Sequence, residues 1–159
     1  MKNITLSLFA LMFSFVTLQA QDIPRSFMIG DHEEALEKVS IDYDINLLQV
    51  CENDPQKAYN VWSAMLDEME SYAEIAEYDL NGIKAWFRVL YDKDGTIDYI
   101  AYHLRPESKN IDTDAFAEFL AGFADYYKLP LTAKTKYNNY TGVQFPTFKK
   151  ILENAKKGE

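Results

Sequence analysis

Two histidines, one cysteine and six scattered glycines set the limits of the chemistry this chain can do. His103 stands between Tyr102 and Leu104, two residues before Arg105. A histidine beside a cation can act as a general base next to an anion clamp, so His103 and Arg105 are where an enzymatic reading would start. In a strand of period two, however, residues 98, 102 and 104 point away from His103, so Asp98 and Tyr102 reach its ring only if a bulge intervenes. His32, beside Glu33 and Glu34, is far from His103 in sequence, and no further His or Cys sits at zinc-ligand spacing. No serine occupies a glycine-flanked elbow, and no run of glycines cradles a phosphate. Cys51 is alone, which rules out an intramolecular disulfide and leaves it as a small, partly buried hydrophobe. The expectation is a non-enzymatic protein with no metal and no cofactor.

Asp92, Asp94, Gly95, Ile97 and Asp98 resemble the middle of a calcium-binding loop. Leu90 stands where the first ligand belongs and Ala101 where the bidentate glutamate belongs, so a plain turn is the better reading. Aromatic residues make up 14% of the chain, with 11 Tyr and 10 Phe. Because aromatic and arginine side chains concentrate at binding hot spots, Trp86, Arg88, Tyr99, Tyr102 and Tyr140 are the predicted contact surface. A second possibility is a small-molecule pocket between helix and sheet, lined by Phe87, Phe116, Phe119 and Tyr127.

The elements that position these residues are legible from periodicity. Asp54 can cap a helix that Pro55 begins, and Ala58, Trp62, Met65, Met69, Tyr72 and Ala76 form one apolar stripe as far as Tyr78. After Asn81-Gly82 the period becomes two. Ala85, Phe87, Val89 and Tyr91 share one side of a strand, and Trp86, Arg88 and Leu90 share the other. Asp92-Lys93-Asp94-Gly95 turns the chain into a second alternating run from Thr96 to Leu104, which makes a β-hairpin. Asp112 caps a helix carrying Phe116, Phe119, Leu120, Phe123 and Tyr127 on one face, and Pro130 ends it. An extended stretch then runs from Leu131 to Tyr140 and on towards Phe148. The predicted fold is α+β: one domain, with an antiparallel sheet of three or four strands packed on one face by the two helices.

The first residues read as an address. Lys2, an apolar run from Ile4 to Leu18 and then Gln19-Ala20-Gln21 follow the layout of a secretory signal peptide, in which cleavage is favoured over a retained anchor. The expected organisation is a signal peptide over 1–20, an N-terminal arm over 21–53, an α+β domain over 54–148 and a C-terminal tail over 149–159. A formal charge of −9 disfavours nucleic acid and anionic lipid as partners. Export would place the protein in a bacterial periplasm or outside the cell, with another envelope protein as its partner and no stable membrane insertion once the signal is cleaved.

Asn81-Gly82-Ile83-Lys84 through Val89, Asp92 through Ile97, and the helix from Asp112 to Tyr127 resemble the C-terminal domain of TonB-type energy transducers over residues 81–148. The chain is also similar to small exported proteins of Bacteroidetes-type bacteria, whose signals end in Ala-Gln. The transducer resemblance implies a small sheet-and-helix domain with an exposed strand edge that can pair with a strand of another protein. It does not imply energy transduction, because the five prolines form no spacer.

Overall fold

The structure, a computed structural model, describes residues 23–157; the signal-like segment lies outside them. Five strands and five α-helices follow in order: β1 (Ser26–Met28), α1 (Glu33–Ser40), β2 (Ile45–Asn46), α2 (Leu47–Val50), α3 (Pro55–Ile75), β3 (Lys84–Tyr91), β4 (Ile97–Leu104), α4 (Thr113–Tyr126), β5 (Tyr137–Gln144) and α5 (Phe148–Lys157).

The two long helices start where capping chemistry places them. Asp54 Oδ1 accepts the amide hydrogens of Gln56 and Lys57, and Asp112 Oδ1 accepts those of Asp114 and Ala115, so two orphan donors are satisfied at each helix start. Helix α3 ends at Ile75, before the predicted Tyr78, because the chain turns through Ala76 and takes a left-handed conformation at Glu77 (φ 53°). Between β3 and β4, Asp92 accepts from the Gly95 amide at 2.9 Å, and Gly95 takes φ 90°, a conformation glycine adopts without strain.

The chain is α+β, but its sheet is larger than predicted and not wholly antiparallel. It has five strands in the order β1-β4-β3-β5-β2, with antiparallel pairs β3–β4 and β3–β5 at the centre and parallel pairs β1–β4 and β2–β5 outside them. Both outer strands come from the segment expected to be an arm. They span only three and two residues, too short for alternation to show in a sequence.

One sheet face carries the main core. Phe87, Val89 and Tyr91 of β3 and Ile100 and Tyr102 of β4 are buried against Met65 and Met69 of α3 and Phe116 and Phe123 of α4. The opposite face, which was expected to stay open, is covered over part of its area: Ile23, Phe27, Leu36 and Tyr43 bury Leu90 and Ala101 in a second, smaller cluster. What remains open is the half of that face nearest the Lys84 end of β3.

Candidate functional site

Register decides which of the predicted contact residues meet. Across β3, Trp86 lies opposite His103 on β4 and Gly142 on β5, and Arg88 lies opposite Ala101 and Tyr140. Trp86, Arg88 and Tyr140 are therefore brought together on the open half of the sheet. The Trp86 and Tyr140 rings stack with centroids 5.6 Å apart, and they stay 41% and 57% exposed.

Tyr99 shares that face but packs beside the N-terminal cluster, away from the stack. Tyr102 does not belong to the surface at all. It lies opposite Phe87 on the core side, 1% exposed, and donates its hydroxyl to the Thr113 carbonyl at 2.7 Å. Burial, with Asp31 adding to it, pushes that hydroxyl up to about 12. Period two places residues 99 and 102 on opposite sides of the strand, so Tyr102 falls outside the predicted contact surface.

Arg88 is the exception among three arginines. Arg25 pairs with Asp125 and Arg105 with Glu107, whereas the half-buried Arg88 has no ion pair or side-chain hydrogen bond among the described residues. His103 is exposed opposite Trp86, and its ring has no hydrogen-bond partner among the described residues that would orient it as a base. Phe87, Phe116 and Phe119 pack on one another at ring-centroid distances of 6.2 and 6.3 Å, so aromatic rings occupy the space proposed for a helix–sheet pocket.

The larger concavity lies elsewhere. A groove of about 640 Å³ runs between α3 and α5, with β5 at its base. Tyr59, Trp62 and Leu66 form one wall and Phe148 and Leu152 the other. Helix α5 is held by polar contacts: Lys149 reaches Asp67 at 2.8 Å, Lys150 reaches Glu74 at 2.7 Å, and Glu70 receives both the amide and the hydroxyl of Thr147. Its apolar side chains are therefore left largely uncovered, with Phe148 71% exposed.

The strand at the base of this groove has one open side. Strand β2 pairs with β5 only at Tyr137 and Asn138, so no described strand lies beside the outer edge from Asn139 to Gln144. Thr141, Gly142, Val143 and Gln144 of that edge line the groove. Gly142 also joins the groove to the aromatic stack, because the Trp86 ring lies over it, 3.5 Å from where a Cβ would stand.

No family model matches the chain, nor does any curated protein or solved structure.

Sequence reasoning missed both the groove and one polar cluster. Tyr43 donates to Asp98 Oδ2 at 2.6 Å, and Lys136 donates to the same oxygen at 2.8 Å. The register slip between Leu90 and Tyr91 makes this possible by inserting Asp98 as an extra residue opposite β3, aimed at Tyr43. Burial, then the Asp98 hydrogen bond, raises the Tyr43 hydroxyl well above its ordinary value. A phenol so disfavoured as an anion suits a clasp better than a base.

The acidic turn is likewise internally engaged. Asp92 accepts from the Lys93 amide, Asp94 accepts from Thr96 and Lys128, and no metal-binding group of three acidic, His or Cys side chains exists among the described residues.

Proposed function

We propose that this chain is an exported, non-enzymatic interaction module of the bacterial envelope that receives an extended segment of another protein along the free edge of β5. The carrying observation is the coincidence of two features on one strand. From Asn139 to Gln144 the outer edge lacks a neighbouring strand, and the same edge forms the base of an apolar groove. Unpaired backbone donors and acceptors supply affinity to an added strand, and pockets for alternate side chains supply selectivity. Residues pointing into the groove meet Trp62, Leu66, Phe148 and Leu152, while those on the other side lie beside Tyr140 and Trp86.

The transducer resemblance over residues 81–148 rests on a hairpin, one helix and a last strand, here β3–β4, α4 and β5, and the open final strand is the part of it that bears on function. The signal-like leader supports the envelope setting. Among the described residues no helix is long and apolar enough to cross a membrane.

The test is capture of partners from envelope extract by residues 21–159, with a Phe148→Ser, Leu152→Ser variant in parallel. A partner lost with the variant, and slowed amide exchange over 139–144 in the complex, is the expected result. Exchange over 139–144 unchanged by the captured partner rejects the reading. A second reading, an apolar small molecule in the same groove, draws on a volume within the usual range of ligand sites. Native mass spectrometry of the purified protein separates the two.

A further inference from the structure

The open half of the sheet has a charge character opposite to that of the whole molecule. The chain carries 25 acidic against 16 basic residues, yet the cross-strand positions of this face hold Lys84 and Arg88 on β3 and His103 on β4. The acid that the slipped register turns to this face, Asp98, is engaged by both Tyr43 and Lys136. Glu107, beyond the end of β4, is taken by Arg105 and lies in the field of Lys84.

Arg88 is left over. It sits on the central strand, half-buried, between Ala101 and Tyr140, neither of which can accept an ion pair. A planar guanidinium with several donors, set beside aromatic rings and without a carboxylate, is a recognition element awaiting an anion.

We propose that the segment docked on β5 presents a carboxylate side chain to Arg88; this rests on the strand-addition reading above. Strands lie about 4.8 Å apart, which places an added strand about 10 Å from β3. An extended arginine and a glutamate can close that gap together. Side chains of the added strand alternate: one set enters the apolar groove, and the other lies on the face that holds Arg88. The preferred partner segment is therefore extended, apolar at every second position and acidic on the intervening side, with the Trp86–Tyr140 stack as the floor beneath its acid. The Arg88 fork gives the acid geometric selectivity, and His103 lies diagonal to it on β4.

The experiment uses three capped eight-residue peptides that alternate valine with threonine, two of the threonines being replaced by Glu, by Gln or by Lys. Each is titrated into the mature protein, with amide shifts of residues 139–144 and affinity recorded together. The Glu peptide is expected to bind about tenfold more tightly than the Gln peptide, as a charge-assisted hydrogen bond implies, and the Lys peptide more weakly than either. Arg88→Gln should abolish the Glu preference while leaving the β5 amide shifts in place, and Arg88→Lys should retain part of it. Equal binding of Glu and Gln peptides, with β5 shifts for both, overturns the carboxylate assignment and leaves strand addition standing. Absence of β5 shifts with all three peptides overturns strand addition itself. A preference that survives Arg88→Gln assigns the acid to another cation and also rejects the proposal.

Discussion

Trp86 covers Gly142 across the β3–β5 pair, its ring atoms 3.5 and 3.6 Å from the position a Cβ would take. The glycine leaves room for an indole to lie flat on the strand and so to reach Tyr140. A methyl group would stand at ordinary contact distance, but the branched side chain of Gly142→Val would lift the ring off the strand. The expected outcome is a changed Trp86 indole shift and weakened partner binding, with unfolding free energy altered by no more than about 1 kcal/mol, since the site is exposed. An unchanged Trp86 shift would show that the stack does not depend on the glycine.

The Tyr43–Asp98–Lys136 cluster clasps the N-terminal segment to the register slip in the sheet. Tyr43→Phe removes the hydrogen bonds but keeps the ring, and a loss of about 1 kcal/mol in urea unfolding is expected. Because Lys136 and Asp98 are partly exposed, that loss falls below the range for hydrogen bonds to buried charged partners.

The same cluster predicts alkaline sensitivity. The Tyr43 hydroxyl is raised by burial and Lys136 by its hydrogen bond to Asp98, so the folded state holds both protons more tightly than the unfolded chain. Tyr102, raised by burial to about 12, acts in the same direction. Their contribution is fully present below about pH 10, where the unfolded side chains still hold their protons, and is lost as pH rises beyond it. The unfolding midpoint should fall as pH rises beyond about 10, and Tyr43→Phe should reduce that fall; equal slopes for both proteins would exclude Tyr43 as a contributor.

Cys51 is fully buried in the main core, and burial raises its thiol above the ordinary value. Thiolate is the reactive form, so a thiol reagent at pH 8 should label Cys51 only as fast as the protein opens. Labelling that precedes unfolding in a urea series would mean that the α2 region opens separately.

Gly95 joins the hairpin to the segment after α4. It accepts the Leu129 amide hydrogen at 2.9 Å, and at its φ of 90° a Cβ would collide with the Leu129 carbonyl oxygen and stand 2.9 Å from that of Leu131. Gly95→Ala should therefore destabilise by on the order of 2–4 kcal/mol, combining backbone strain with steric displacement. Thermal unfolding measures it directly, and a loss below about 1 kcal/mol would mean that residues 129–131 yield at little cost.

Long elements with a repeating period were legible because each periodic position reports the same buried face. Asp54-Pro55 and Asp112 mark helix starts by local hydrogen bonding, and alternation from Ala85 to Tyr91 assigns Trp86 and Arg88 to one side without reference to any other strand. The grouping of Tyr102 with Tyr99 failed against that same rule. Capping, turn chemistry and period are properties of neighbours in sequence, and by themselves they determined the α+β class, the hairpin and the two main helices.

Strand partners and what lies across a face are decided by contacts between distant residues. The sequence could not show that Ser26–Met28 and Ile45–Asn46 close the two sides of the sheet, because the free energy of such short strands comes from the tertiary surfaces they meet. Nor could it show that β2 ends at Asn46, opposite Asn138, leaving the rest of β5 open, or that α5 stands off from α3 to make a groove. Trp86 meeting Tyr140, and Arg88 left without an acid, are consequences of cross-strand register and of where the remaining charges settle. Those are properties of the assembled sheet, and only the tertiary structure decided them.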